Sequence, residues 1–177
     1  MKFIETELKG AFIIEPDRME DERGHFARFF CEKEFAAHGL ETHFVQCGVS
    51  FNRRKGTLRG MHYQAAPHEE TKLVRCTGGA IYDVIVDLRS DSATCKKWSA
   101  VELSAENHRL LYIPKGFAHG FQTLEDNCEV LYQISVEYNS ANSRGLHYAD
   151  QGLAITWPLQ VTMVSERDRA LPQFQSG

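Results

Sequence analysis

The 177-residue sequence contains no Ser-, Pro- or Gly-rich linker, no internal repeat and no shift in composition that would separate two domains. With 42% hydrophobic residues it is long enough to form one sizeable core, and it predicts a single domain over residues 1–177. No apolar run approaches the roughly 18 residues that a membrane-spanning helix needs, and residues 1–7 are too charged for a signal peptide. We therefore expect a soluble, cytoplasmic protein without a membrane partner.

The sequence also lacks an excess of basic residues and a cysteine pattern for binding metal. Its formal net charge is -4, so no nucleic-acid partner is expected, although a few local arginines could hold a diphosphate. The five cysteines are odd in number and widely spaced, with no CxxC pair. This pattern is typical of reduced thiols rather than of a disulfide framework or a zinc knuckle.

Short apolar or alternating segments separated by turn residues dominate the sequence. Strand-like segments cover residues 12–15, 44–49, 73–76, 80–88, 110–113 and 130–138. Their rhythm is typical of an antiparallel barrel or jelly roll, so the predicted fold class is mainly β. Helix is expected only at residues 32–38, which Gly39 ends, and in a segment that begins near Ser165.

The predicted strand 130–138 carries two tyrosines, Tyr132 and Tyr138. Alternation with a period of two places both on one face, roughly 20 Å apart if the strand stays straight. That separation would let both rings contact one extended ligand. The alternative is that both tyrosines are core or rim aromatics.

Two histidine-containing segments carry the strongest functional signal. They are Arg59-Gly60-Met61-His62-Tyr63-Gln64 and Pro114-Lys115-Gly116-Phe117-Ala118-His119-Gly120-Phe121. Together with Lys72-Leu73-Val74, Asp83-Val84-Ile85-Val86-Asp87-Leu88-Arg89 and Tyr132, they closely resemble the bacterial dTDP-4-dehydrorhamnose 3,5-epimerase family, from about Phe3 to Leu171.

The resemblance implies a cupin-type jelly-roll barrel with its ligand inside. It also implies an isomerase that inverts C3 and C5 of dTDP-4-dehydro-6-deoxy-D-glucose, a nucleoside-diphosphate 4-keto-6-deoxy sugar, without a metal or other cofactor. A homodimer is implied as well, in which the N-terminal segment, residues 1–15, joins the partner's sheet and part of the site is shared.

Epimerisation beside a ketone needs a base, a group that stabilises the enolate oxygen, and an acid on the opposite face of the sugar. Histidine, with an unperturbed pKa of about 6.5, suits the base. The resemblance assigns proton abstraction to His62, held by the carboxylate of Asp168, and proton donation to Tyr132. Lys72 could lower the pKa of Tyr132 or offset charge on the enolate oxygen, or it could be a solvated strand-edge lysine.

Asp168 also has a structural interpretation. The spacing Ser165-x-x-Asp168 is that of a capping box, in which the acidic side chain returns to the N-cap amide. A cap variant would lose stability, whereas a variant of a catalytic pair would lose turnover.

The resemblance also implies a set of substrate-binding residues. Arg23 and Arg59 match positions that bind the diphosphate, which a planar guanidinium can meet in a bidentate fork. The set is completed by Arg28, Gln46, His119 and Tyr138, the last as the aromatic that stacks on thymine. Strict alternation would place Arg59 and His62 on opposite faces of one strand, so a bulge is expected at Gly60.

Three departures from the family pattern leave the specificity open. Arg28 replaces a glutamate, Gly48 replaces an asparagine, and Ser143 stands where a glutamate is common. These changes should affect hydrogen bonding to the ligand more than proton transfer. A single-site 3- or 5-epimerase acting on a related sugar is therefore an alternative.

Two further classes of function remain. Many cupins bind a metal through His-x-His, a following glutamate and a later histidine, and His62 and His119 could be part of such a set. Gln64 occupies the place of the second histidine, and its amide oxygen is a poorer ligand, although His68 and Glu69 lie nearby. A sugar-binding protein without turnover would keep the same fold.

Overall fold

The computed structural model describes residues 1–174, which form antiparallel sheets and two short helices. The strands are β1 (Lys2–Glu5), β2 (Phe12–Glu15), β3 (Arg18–Asp21), β4 (Gly24–Ala27), β5 (Gln46–Asn52), β6 (Leu58–Gln64), β7 (Lys72–Gly78), β8 (Ala80–Asp87), β9 (Trp98–Ser104), β10 (Leu110–Ile113), β11 (Phe117–Thr123), β12 (Cys128–Ile134) and β13 (Ser143–Gly145). The helices are α1 (Glu32–Ala37) and α2 (Glu166–Arg169). The predicted mainly β class is confirmed.

Two large sheets form a jelly-roll barrel. One sheet has the strand order β1-β2-β10-β7-β12-β5, and the other has the order β13-β6-β11-β8-β9. Neighbouring strands are rarely consecutive in sequence, because the chain crosses repeatedly from one sheet to the other. Strands β3 and β4 form a separate two-stranded hairpin.

The core lies between the inner faces of the two sheets, and alternation along each strand supplies it. In β7, Val74 and Cys76 are fully buried in the barrel interior, whereas Leu73 packs on the outer side with Phe35 of α1. The central strands are therefore covered on both faces. This explains why their sequences are almost continuously apolar instead of cleanly alternating.

The predicted strand 130–138 is wrong in its second half, because β12 ends at Ile134. Beyond that point the amide of Gln64 organises the backbone: its Nε2 donates to the carbonyl of Glu137 over 3.3 Å, and its Oε1 accepts from the amide of Asn139 over 2.6 Å. Strand pairing ends at Ile134 because this residue lies opposite Gln46 and Lys72, the first residues of the partner strands β5 and β7. The two tyrosines of the segment therefore do not lie on one continuous strand, and the predicted alternation does not extend to Tyr138.

Other predicted elements are closer to the observed ones. Residues 12–15 and 110–113 form β2 and β10 with the expected bounds, and the expected helices appear as α1 and α2. Gly39 follows α1 with φ of +68°, the left-handed conformation that ends a helix. Within residues 1–174, no helix is long and apolar enough to cross a membrane.

The edges of the first sheet and the β3–β4 hairpin expose apolar side chains. Met19 and Phe26 of the hairpin are 59% and 61% exposed, and Val49 and Phe51 of edge strand β5 are 57% and 52% exposed. At the opposite edge, β1 pairs with β2 of its own chain.

Candidate active site

A cavity of about 330 Å³ is lined by side chains from both sheets. Its lining residues are Ser50, Arg59, His62, Tyr63, Gln64, Glu70, Lys72, His119, Gly120, Phe121, Tyr132, Ile134, Tyr138, Ser143 and Arg167. Six of the residues predicted from sequence are among them: Arg59, His62, Lys72, His119, Tyr132 and Tyr138. The barrel thus brings together residues that are far apart in sequence.

A bulge in β6 allows Arg59 and His62 to face the same cavity. These two residues are three positions apart, but they pair with residues of β11 that are only two positions apart. Gly60 lies in the bulge with φ of +127°, and an added Cβ there would be 2.5 Å from the Cα of Gly120. The predicted bulge at Gly60 is confirmed, and only glycine fits there without strain.

His62 and Asp168 form a hydrogen-bonded pair. The Nε2 of His62 lies 2.7 Å from Oδ1 of Asp168, whose side chain is only 5% exposed, and Oδ2 accepts the amide of Gly60 over 3.2 Å. Burial raises the pKa of the Asp168 carboxyl, but these hydrogen bonds and the interaction with His62 outweigh burial and leave the pKa below its ordinary value. An ionised carboxylate therefore faces one ring nitrogen and leaves Nδ1 for chemistry.

The Ser165-x-x-Asp168 segment contains both a helix cap and the carboxylate that bonds His62. The hydroxyl of Ser165 accepts the amide of Asp168 over 3.0 Å, so Ser165 caps α2. The carboxylate of Asp168 is directed at His62 and Gly60 instead of returning to the N-cap. The short helix thus serves to present the carboxylate to β6.

Tyr132 lies beside His119, with ring centroids 6.0 Å apart in an edge-on arrangement. Burial raises the pKa of the phenol above its ordinary value, the charge of Asp83 adds to this effect, and the charge of Arg59 opposes it. The pKa is therefore raised, which does not favour the alternative in which Lys72 lowers it. The phenol keeps its proton at neutral pH, which is the form that a proton donor requires.

A second histidine–carboxylate pair lies on the same wall. The Nε2 of His119 is 2.8 Å from Oδ1 of Asp83, and the two side chains are 4% and 0% exposed. Asp83 is part of the sequence motif in β8, but its role was missed because strand alternation alone does not show which residue of β11 it meets.

The structure adds two further polar contacts that sequence reasoning missed. The Nζ of Lys72 lies 2.8 Å from Oε1 of Glu70, and Nη2 of Arg167 donates to the hydroxyl of Ser143 over 2.9 Å. The only sequence signal was proximity, since Glu70 lies two residues before Lys72 and Arg167 precedes Asp168.

Three predicted substrate-binding residues lie outside the cavity of this chain. Arg23 is at the tip of the β3–β4 hairpin, where it is 89% exposed and pairs with Asp21. Arg28 lies 3.6 Å from Glu34, and the side-chain oxygen of Gln46 accepts the amide of Tyr138 over 3.2 Å. Of these three, Gln46 bonds a residue that lines the cavity.

Among residues 1–174, no group of three or more His, Cys, Asp or Glu side chains is arranged to hold a metal ion. Gln64, at the position where a metal-binding cupin would have a histidine, bonds the backbone of His68, Glu137 and Asn139. These hydrogen bonds from the side-chain amide hold the backbone of the two segments in place beside the cavity.

Comparison with known proteins agrees with this geometry. Residues 5–176 match the family model for dTDP-4-dehydrorhamnose 3,5-epimerase. The chain is similar to the dTDP-4-dehydrorhamnose 3,5-epimerase of Shigella flexneri, with 44% identity over 95% of this chain and 93% of that protein.

Solved structures show the same likeness. One is the dTDP-4-dehydrorhamnose 3,5-epimerase of Bacillus anthracis with TDP and PPi bound, with a TM-score of 0.95 and 44% identity over 98% of this chain and 99% of that one. Another is the dTDP-6-deoxy-D-glucose-3,5-epimerase of Legionella pneumophila in complex with dTDP-4-keto-L-rhamnose, with a TM-score of 0.89 and 39% identity over 99% of both chains. The expected cupin-like jelly roll and isomerase class are confirmed. The chain belongs to the dTDP-4-dehydrorhamnose 3,5-epimerase family.

Proposed function

We propose that this protein inverts C3 and C5 of dTDP-4-dehydro-6-deoxy-D-glucose to give dTDP-4-dehydro-L-rhamnose. The observation that carries the proposal is the 2.7 Å contact between His62 and buried Asp168, at a cavity that also holds Tyr132. The similar Bacillus anthracis and Legionella pneumophila structures, with TDP and with dTDP-4-keto-L-rhamnose, support a dTDP-linked substrate.

His62 is the base in the proposed mechanism. Its Nε2–H donates to the carboxylate of Asp168, so Nδ1 holds the lone pair that accepts a proton from the carbon beside the ketone. The electron pair of the broken C–H bond moves onto the ketone oxygen and gives an enolate. Asp168 stabilises the imidazolium that forms.

Lys72 stabilises the enolate oxygen, and Tyr132 returns a proton to the opposite face of the carbon. The ammonium of Lys72 lies in the cavity wall, where its charge acts in a largely dry environment. The phenol of Tyr132 is protonated at neutral pH and supplies the proton. These steps move only protons and an electron pair, so they need no metal or redox cofactor.

Arg59, His119 and Tyr138 bind the substrate in this proposal. The guanidinium of Arg59 is held by Asn52, with Nε donating over 2.7 Å, and its remaining N–H groups can meet the diphosphate. Tyr138 is 58% exposed at the edge of the cavity, a place where a ring can stack on the thymine base.

The working form is proposed to be a homodimer with a shared site. The exposed apolar residues of the hairpin and of β5 favour a covered surface, and Arg23 and Arg28 lie near that hairpin, away from the cavity of their own chain. Residues 1–15 contain edge strand β1, which could pair with a partner's sheet. We place Arg23, Arg28 and Gln46 at the partner-facing side of the site.

Mixing two inactive variants tests the shared site. Arg23→Ala and His62→Ala homodimers should each be slow, and subunit exchange between them should restore activity if Arg23 serves the partner's cavity. No recovery after exchange, verified by mass spectrometry of the mixed dimer, would place Arg23 in its own chain's site or outside any site.

We further propose one domain in the cytoplasm. Both sheets contribute to one core and one cavity, and the five cysteines are free, as expected in a reducing compartment.

Proton NMR in deuterium oxide tests the reaction. With dTDP-4-keto-6-deoxyglucose and catalytic enzyme, both the C3 and C5 proton signals should disappear and an inverted product should form, while His62→Ala should give neither change. Loss of one signal would indicate a 3- or 5-epimerase, and loss of neither would refute the proposed substrate.

A further inference from the structure

Glu70 is a carboxylate inside a cavity that is otherwise cationic or neutral. Among the described residues that line the cavity it is the only carboxylate, and its side chain is 10% exposed. Arg59, Lys72 and Arg167 supply positive charge around it. A negative charge here repels a diphosphate substrate. The presence of the Glu70 carboxylate in this cavity therefore needs an explanation.

The reason lies in the hydrogen bonds of Lys72. Its ammonium has three N–H donors. The Nζ lies 2.8 Å from Oε1 of Glu70 and 3.4 Å from the carbonyl oxygen of His62, so these two acceptors take two of the donors. Both acceptors belong to the protein wall, which leaves the third donor for the cavity. A lysine side chain has four rotatable bonds, and without these two acceptors its ammonium would occupy several positions.

We propose that Glu70 is a positioning residue that fixes the ammonium of Lys72, so that its remaining N–H is aimed at the oxygen that becomes negative during proton abstraction. The inference rests on the proposed function of the site. It assigns Glu70 no contact with the reacting carbon. Preorganised donors act strongly because they need no reorientation when the charge develops.

The two effects of Glu70 on an anionic substrate have opposite signs. Its charge weakens binding in the ground state, whereas its hold on Lys72 favours the transition state. Glu70→Gln keeps the shape of the side chain but removes the charge. We therefore expect kcat to fall about 10- to 100-fold, below the roughly 10²- to 10³-fold loss of a whole oxyanion donor, while KM stays equal or falls.

The matched control is Glu69→Gln, which removes the same charge at the adjacent residue, outside the cavity lining. It should leave kcat and KM within twofold of the wild type. Glu70→Asp keeps the charge but shortens the side chain, and it should lower kcat without lowering KM. Thermal unfolding of each variant reports whether the fold is retained.

A double-mutant comparison with Lys72→Met gives the decisive readout. If Glu70 acts through Lys72, then Glu70→Gln should change kcat by less than twofold in the Lys72→Met background. The doubly substituted protein should fold, because both charges of the pair have been removed and neither is left without its partner. An additional tenfold loss in that background would overturn the inference. An unchanged kcat for Glu70→Gln would also overturn the inference, provided that the wild-type enzyme exchanges both protons. If the wild-type enzyme exchanges neither proton, the proposed function itself is refuted.

Discussion

Replacing Asp168 by asparagine should disable the base while leaving the fold almost intact. In the wild type, the carboxylate accepts two N–H groups, from Nε2 of His62 over 2.7 Å and from the amide of Gly60 over 3.2 Å. An asparagine has only one oxygen. If that oxygen stays with Gly60, the NH₂ group faces His62, and Nε2 must become an acceptor.

The change in acceptor determines the size of the effect. When Nε2 accepts from asparagine, the imidazole proton moves to Nδ1, the nitrogen that has to take the substrate proton. An analogous carboxylate-to-amide change beside a catalytic histidine costs about 10⁴ in kcat, so we expect a loss of about 10³- to 10⁴-fold. This loss corresponds to about 4–5.5 kcal/mol in the activation free energy.

Ser165→Ala is the matched control because it removes the other bond that Asp168 makes in α2. Loss of an N-cap costs about 1 kcal/mol in the free energy of unfolding, which lowers Tm by about 2–4 °C in a chain of this size. Its exchange rate in deuterium oxide, followed by NMR at C3 and C5, should stay within a few-fold of the wild type. An Asp168→Asn variant that exchanges protons within threefold of the wild type would refute the role of the pair.

Three further perturbations test other parts of the site. Tyr132→Phe should keep proton abstraction but lose directed reprotonation, so the ratio of deuterium exchange to inverted product, measured by NMR, should rise at least about tenfold. If exchange and product formation fall equally, Tyr132 is not the acid. Gly60→Ala, at φ of +127° with a Cβ 2.5 Å from Gly120, should lower the free energy of unfolding by about 2–6 kcal/mol in urea, whereas Gly48→Ala, which meets no atom within 4 Å, should cost far less. Folding lowers the pKa of Asp168, so its carboxylate stabilises the protein fully at pH values above its ordinary pKa of 3.8 and loses this effect as the pH falls through the folded pKa. The difference in the free energy of unfolding between wild type and Asp168→Asn should therefore shrink from pH 7 to pH 3. A constant difference would contradict this linkage.

Sequence patterns predicted the structure correctly where residues close together in the chain determine it. Alternation and turn residues identified β2 and β10 with their observed bounds, and glycine at position 60 indicated the bulge because few other residues tolerate such a backbone. These patterns failed where distant parts of the chain determine the structure. Strand β12 ends at Ile134, opposite the first residues of its partner strands β5 and β7, and no pattern within residues 130–138 reveals this.

The same distinction holds for the site. His62, Lys72 and Tyr132 were predicted because they belong to recognisable motifs, and the barrel places them around one cavity. Asp83 meets His119 through a contact across the fold, which spacing along the chain does not encode. Glu70 lies only two residues before Lys72, but proximity in sequence does not show that its carboxylate contacts the ammonium. The sequence also did not show that Arg23 lies at an exposed hairpin tip, outside the cavity of its own chain.

The two histidine–carboxylate pairs raise the question of which histidine is the base. His62 and His119 are paired neighbours on β6 and β11, and each directs Nε2 at a buried carboxylate. They differ in burial, because the side chain of His62 is 37% exposed and that of His119 is 4% exposed. A base that turns over must release its proton after each cycle, and an accessible ring can pass it to substrate or water. His119 is enclosed beside Asp83 and better suited to hold a fixed orientation, so the difference in burial favours His62 as the base and His119 as a binding group.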